Sequence, residues 1–404
     1  MAKIEFSVIA DTVEETQVLL RLLVAFEERH RHHVDLQTMR WADAWPQLLA
    51  TALHGSGPSV SHVGSTWSTS MGAMNTLRPF LPHEVNRMGG AGAFFPPAWS
   101  STTLAGDDTV WSLPWTTYTY LILFRRDRLE RAGVDAAAAF KTPAAMAETL
   151  ARLQSLGMEF PWIIPGEAYY ADLIHIAASF IWGANGHFIS PDGKHILVHQ
   201  PASLAGLADF FELYRYLPTK IKDLTYSQCT QLFAEGRVGV FIAGAEAPGA
   251  ILASPDTAPA VRSYLQVTLP PGIPWVGGDN LVIWRHVRGD PQQEQAALSL
   301  VNYLLDPETQ LAYSQAQNVL PAKASVLAQL PMEPASLKPA VEAALSQGRA
   351  HSSTALWRVV EFRINQALNE IAAEMLENRA ADLNKLFEKH LIPVAQRLEL
   401  TLEQ

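Results

Sequence analysis

The sequence predicts an α/β protein of two lobes, each a largely parallel sheet flanked by helices. Three observations carry that expectation. Short β-branched runs alternate with amphipathic helical runs from the first residues onward, the pattern of doubly wound parallel sheets. At 404 residues the chain is long for one core, so length favours two. No Ser/Gly/Pro-rich linker separates two halves, so the lobes are joined by several short crossings. "SLPWTTYTY" and "LQVTLPPG" are the candidate crossings, because each sets Pro beside extended β-formers.

The elements follow in order. "KIEFSVIA" is a first strand, and Thr12 with Glu15 forms a T-x-x-E box opening a helix that runs to about residue 31. "HVDLQTMRW" is a second strand. "ADAWPQLLATALH" is a helix with Pro46 expected in its first turn, and "SVSHVG" is a third strand ending in "GSTWSTSMG". Residues 76–110 are loop-rich, with "RPFLPHE", "RMGGAGAFFPPAW" and "TLAGDD". An aromatic strand then leads to a short helix stopped by Gly133, and Thr142-Pro143 caps the next helix. "FPWIIP" is a strand and "AYYADLIHIAASFIWG" an apolar helix. "TYSQCTQLFAEGRVGVFIAG" is a capped helix, a strand and a glycine turn. "YLQVTLPPG" and "NLVIW" are strands, and helices fill the chain from about residue 291, apart from an extended "NVLPA".

Composition removes several functions. With 30 basic and 40 acidic residues, net charge −10, and no basic stripe, no nucleic-acid partner is expected. No apolar run approaches the roughly 18 residues of a membrane span. The one cysteine, Cys229, permits neither an internal disulfide nor a cysteine zinc site. The N-terminus lacks signal-peptide features, so either the protein is cytosolic or this is a mature domain with an added start. No nucleophile elbow, P-loop, dinucleotide fingerprint, zincin motif or EF-hand loop occurs. No catalytic residue, metal site or cofactor is therefore assigned. His30, His32 and His33 read as a basic helix end, His195 and His199 as a strand pair without a third ligand, and Glu167, Asp172 and Glu246 as isolated carboxylates.

The aromatic residues are more informative. Of eleven Trp, several sit beside Gly, Pro or turn residues, among them Trp41, Trp67, Trp111, Trp115, Trp182 and Trp275. Trp115, Tyr118 and Tyr120 lie within six positions, and Tyr169 and Tyr170 stand near a helix start. Aromatic faces stack on the apolar faces of pyranose rings, while Asp, Glu and Asn meet the hydroxyls. Gly277 and Gly278 shape a turn at the mouth of "NLVIW" and allow close approach by backbone N–H groups. Asp279 and Asn280 follow as polar contacts. Asp11 and Thr12 end the first strand, at the carboxyl edge where ligands of parallel sheets collect.

Three segments carry a family resemblance. "VWSLPWTTYTYLILFRRDRLERAGVD" resembles Y-G-L-P-W…YYNKDLFEKAG. "FAEGRVGVFIAGAEAPGAI" resembles F-x-x-G-K-A-A-M…G-x-W. "WVGGDNLVIW…AALSLVNYLLDPETQLAYSQAQNVLPAKASVL" resembles G-G-x-x-L-A-I…A-x-x-F-x-x-F-L…P-E-x-Q…G-x-L-P-A-R. In this order, over about residues 4–330, they resemble the carbohydrate-binding solute-binding proteins of bacterial ABC importers, the family that includes maltose-binding protein. The resemblance implies a two-lobed periplasmic-binding-protein-like fold with three hinge crossings, a ligand cleft between lobes, and no enzyme activity. It implies one lobe of residues 1–112 with a return at 268–318, and another of 116–264 with C-terminal helices at 322–404. It also implies a carbohydrate-like ligand, ABC permease subunits as partner, a monomer, and a periplasmic or extracellular location, membrane-anchored in a full precursor.

The ligand-contact set on this reading is Asp11, Thr12, Trp41, Trp67, Trp115, Tyr118, Tyr170, Trp182, Glu246, Trp275, Gly277, Gly278, Asp279 and Asn280. Trp357 and Arg358 join it from the C-terminal helices, with helix packing and surface charge as their alternative. Three positions depart from the family pattern: Tyr118 where an Asp is common, Arg125 where an Asn is common, and Glu246 where a cleft Trp is common. These shift ligand preference. A phosphorylated polyol, a polyamine or a chelated metal on the same fold is the competing ligand, with Arg40 and Arg125 as the cations a phosphate would need. A glycoside hydrolase is the competing activity.

Overall fold

The computed structural model describes residues 2–166, 173–218, 221–222 and 224–402. The chain divides into two compact units. Unit 1 is Met1–Tyr118, Gly277–Pro331 and Ala350–Arg358, and unit 2 is Thr119–Val276, Met332–Arg349 and Val359–Gln404.

Unit 1 is built on β1 (Lys3–Ile9), β2 (His33–Met39) and β3 (Val60–Gly64), all parallel, in the order β2-β1-β3. Helix α1 (Val13–His30) makes the first crossover and α2 (Trp41–His54) the second. The first half of β4 (Leu113–Arg125) belongs here, and the same strand continues into unit 2. Alternation along the strands sends side chains to opposite faces. Ile4, Phe6, Val8, Val60, Leu281 and Ile283 enter one core. Ile9, Met39, Val63, Val282 and Trp284 enter a second core, against Ala44 and Leu48 of α2. The polar atoms between layers are paired: Ser7 and Ser61 hydroxyls lie 2.6 Å apart, and the Trp284 indole donates to Ser61 at 2.7 Å.

Unit 2 centres on the second half of β4, flanked by β6 (Val238–Gly244) and β7 (Leu265–Thr268), both antiparallel to it, with β5 (Phe160–Ile163) parallel to β6. Every residue of β5 and β6 is buried. Trp162 fills this core and donates its indole N–H to the Leu213 carbonyl at 2.8 Å. Two further strands complete unit 1: β8 (Val276–Ile283), antiparallel to β3, and β9 (Leu320–Pro321), paired with the first half of β4.

The caps lie where the sequence puts them. The hydroxyl oxygens of Thr12, Thr142 and Thr225 accept the amides of Glu15, Ala145 and Gln228. Gly133 sits just beyond the helix Arg126–Arg131 with φ +67°. Cys229 is buried, and burial pushes its thiol pKa up to about 12.

Three local expectations are corrected. Pro46 lies inside α2 rather than in its first turn, because the helix already begins at Trp41. "STWSTSMGA" is not strand tail but helix α3 (Ser65–Ala73). Seven of its nine residues are buried, so packing overrides the weak helix propensity of Ser and Thr. Gly277 and Gly278 form no turn: both lie within β8. Gly278 has φ +134°, and a Cβ there would stand 2.3 Å from the Thr116 carbonyl oxygen and 2.6 Å from Thr117 Cα. The bare backbone serves the neighbouring strand β4.

Candidate functional site

In unit 1 the parallel strands end together, and the candidate residues follow those ends. The Ala10 amide donates to the Met39 carbonyl at 2.8 Å, tying the end of β1 to that of β2. The exposed Asp11 carboxylate accepts the Trp41 amide at 3.1 Å and so fixes the first residue of α2. Glu15 reaches back to the Asp11 amide at 2.9 Å. Thr12 is therefore a cap, and Asp11 a brace between two elements.

Three indoles gather at this edge. Trp41 and Trp45 stand one turn apart on α2, and Trp67 enters from the first turn of α3. Trp41 and Trp67 meet edge-to-face at 5.5 Å, and Trp45 and Trp67 at 5.6 Å, the geometry ring quadrupoles favour. Gly64 lies beneath Trp41 and Trp67, where a Cβ would make ordinary contacts of 3.5–3.6 Å. The Arg358 guanidinium lies over Trp45 at 5.7 Å and Trp67 at 5.5 Å, a cation–π arrangement. Trp41 is 39% exposed, in contrast to Trp67 at 8%.

Behind the indoles runs a polar line. His62 Nδ1 accepts the Ile9 amide at 3.2 Å, so a neutral ring carries its proton on Nε2. That nitrogen is 3.3 Å from Asp279, a close contact without hydrogen-bond alignment. The Thr116 hydroxyl donates to the other oxygen of Asp279 at 2.8 Å. Asn280 is 1% exposed, and its amide nitrogen is 2.9–3.1 Å from the hydroxyls of Ser68, Ser101 and Ser112. It ties α3, the 3-10 turn Ser100–Thr102 and the segment before β4 to β8. Trp115 is 1% exposed and stacks on Tyr313 at 4.5 Å, while Trp357 stacks on His351 at 4.5 Å. Both rings are interior to unit 1. Tyr118, half-buried on β4, is the last residue of the first segment of this unit.

Unit 2 holds the remaining candidates. Trp275 stacks on His175 at 4.1 Å and 12°, and Tyr120 lies 5.8 Å from the same indole. The Thr119 hydroxyl donates to the Trp275 carbonyl at 2.7 Å. Glu246, half-buried just past β6, accepts the Tyr226 hydroxyl at 2.6 Å. Trp182 is buried against Phe188, with the Arg349 guanidinium over its ring at 5.3 Å. Tyr169, Tyr170, Glu167 and Asp172 lie outside the described residues.

The structure thus brings Asp11, Trp41, Trp67 and Arg358 together in unit 1, and Glu246 stands in unit 2 with Tyr120 and Trp275. Trp45, His62, His175 and Tyr226 were missed. Trp45 was findable: it follows Trp41 by four residues and shares its helix face. The others carry no local signal. The two arginines available to a phosphate are engaged, Arg40 with Asp43 at 2.7 Å and Arg125 with Asp127 at 2.7 Å. Among the described residues no helix is long and apolar enough to cross a membrane.

No curated protein matches the chain. Among solved structures, the sugar-binding protein MalE of Xanthomonas citri is 20% identical with TM-score 0.82, covering 99% of this chain and 97% of that one. The GacH receptor of Streptomyces glaucescens is 16% identical with TM-score 0.76, covering 100% and 99%. Maltose-bound MalE3 of T. maritima is 18% identical with TM-score 0.76, covering 99% and 100%. At such identities the likeness establishes the fold, the two-lobed α/β architecture of these binding proteins. The description "Bacterial extracellular solute-binding protein" matches residues 21–343, and the chain belongs to that family.

Proposed function

We propose that this protein is the substrate-binding component of an ABC importer, taking a sugar, oligosaccharide or related polyol and delivering it to a membrane permease. The observation that carries the reading is the Trp41–Trp45–Trp67 group, braced by Asp11 at the carboxyl ends of three parallel strands. A half-exposed indole with polar groups at its side fits a ring with one apolar face and a rim of hydroxyls. Structures of the same fold are described with maltose, acarbose, α-D-tagatose and ribitol, which supports the ligand class. The protein acts as a monomer on the periplasmic or extracellular side, and its units, joined by hinge crossings, close on the ligand. Of the other residues expected from the sequence, the half-buried Tyr118 and Glu246 are the further contacts proposed.

Isothermal titration calorimetry against mono- and oligosaccharides, polyols and glycosides tests this. Micromolar or tighter binding of at least one is expected, and silence across the whole panel would sink the assignment. Small-angle scattering with and without that ligand reads the closure. The competing ligand class is a phosphorylated polyol or polyamine. It gains only if such a compound binds best and weakens steeply with salt, and the pairing of Arg40 and Arg125 with Asp43 and Asp127 speaks against the phosphate. Turnover of a chromogenic glycoside would replace binding by hydrolysis.

A further inference from the structure

We propose that Tyr226 is a positioning residue that aims the Glu246 carboxylate at a hydroxyl group of an uncharged polyhydroxy ligand. The proposal rests on the ligand reading above and adds a residue and a charge class to it.

The direction of the hydrogen bonds is fixed by inventory. The Gly244 amide can only donate, and it lies 3.2 Å from the Tyr226 phenol oxygen. The phenol has one proton, and a carboxylate is an acceptor. That proton therefore goes to Glu246, at 2.6 Å. Burial, then the charge and hydrogen bond of Glu246, hold the phenol pKa well above its ordinary value, so Tyr226 remains a donor.

The donor itself is held rigidly. Tyr226 is the first residue of the helix Tyr226–Ala234, whose start is locked reciprocally. The Gln228 amide donates to the Thr225 hydroxyl at 3.1 Å, and the Thr225 amide to the Gln228 side chain at 2.9 Å. The Tyr226 ring packs on Phe241 of β6 at 5.9 Å. The acceptor is held too: the Ala245 amide, one residue before Glu246, donates to the Thr119 carbonyl at 3.1 Å. Tyr120, beside Thr119, pairs in register with Gly244, and its ring faces Trp275. An oriented carboxylate thus stands by the strand whose Tyr120 faces the Trp275 indole. A carboxylate so placed accepts from hydroxyls and repels carboxylates and phosphates.

The test is a double-mutant cycle read by calorimetry with maltose, D-tagatose and ribitol as probes. For whichever probe binds the wild type, Glu246→Ala weakens binding by about tenfold or more and Tyr226→Phe by about threefold to tenfold. In the Glu246→Ala background Tyr226→Phe has no further effect, because its role runs through the carboxylate. A deoxy analogue of the bound probe loses affinity in the wild type but not in Glu246→Ala. Equal binding by wild type and Tyr226→Phe overturns the proposal. So does a Tyr226→Phe loss of the same size in both backgrounds, which marks a merely structural role. If Tyr226→Phe does not fold, Glu246→Gln decides: it keeps the side-chain shape but not the charge, and unchanged affinity overturns the proposal. Silence of the wild type toward every probe overturns the ligand reading and this proposal with it. Binding that ignores both residues overturns this proposal alone.

Discussion

Two tryptophans whose rings meet at 5.5 Å, Trp41 and Trp67, have opposite expected roles. Trp41 is partly exposed, its amide held by Asp11 and one edge of its ring against Trp67. Trp41→Ala should therefore leave the melting temperature nearly unchanged and weaken the ligand by about tenfold, the size of a stacking anchor. Trp67 is buried among Trp41, Trp45 and the Arg358 guanidinium. Trp67→Ala should cost about 3–5 kcal/mol of stability in urea unfolding, and a smaller loss would mean that its pocket collapses. Asn280→Ala belongs with Trp67, since it removes the buried amide that links Ser68, Ser101 and Ser112 inside unit 1, at about 1–3 kcal/mol.

At the level of elements, local chemistry decides some features and distant backbone decides others. Thr12→Ala removes the hydroxyl that caps α1 and should lower stability by about 1 kcal/mol in urea unfolding. Gly278→Ala should do far worse, about 3 kcal/mol, by forcing a methyl against β4 at an unfavourable φ. An equal midpoint in urea for Gly278→Ala and wild type would refute that contact. The contrast explains what the sequence made legible. Thr12, Thr142-Pro143 and Thr225 announce helix starts because cap and capped amide lie within three residues. The bareness of Gly278 is equally visible, but the strand that demands it arrives from residues 116–117, so the pair was read as a turn. Helix α3 was hidden for the same reason: its Ser and Thr show no apolar period, and its burial comes from other segments. The candidate site divides likewise. Asp11, Trp41 and Trp67 follow strand ends that the pattern locates, whereas Tyr226 and His175 meet their partners only through the fold.

For the molecule as a whole, acid is the informative stress. Arg78 is buried in unit 1 between Glu84 and Glu294, with its Nη2 2.7 Å from Glu84 and its Nε 2.6 Å from Glu294. Burial pushes the Glu84 carboxyl pKa up, but the hydrogen bonds from Arg78 and the Leu81 amide outweigh it and hold the pKa below the ordinary carboxylate value. A carboxyl depressed on folding stabilises fully above its unfolded pKa of about 4.3 and loses that contribution as pH falls through the lower folded value. Stability should therefore drop below about pH 4.3, and Glu84→Gln should flatten that limb while costing about 3 kcal/mol at neutral pH by leaving Arg78 underpaired. Thermal melts across pH 3–7 read both effects.

The interleaving of segments has a consequence for biosynthesis. Unit 1 takes its strand β8 from residues 277–331 and its last pieces from residues 350–358. On the ribosome, β3 therefore has no neighbour on that side until well over half of the chain has emerged, and its exposed edge must wait. Neither unit can be excised as a contiguous fragment, because each is assembled from three separate stretches of the chain.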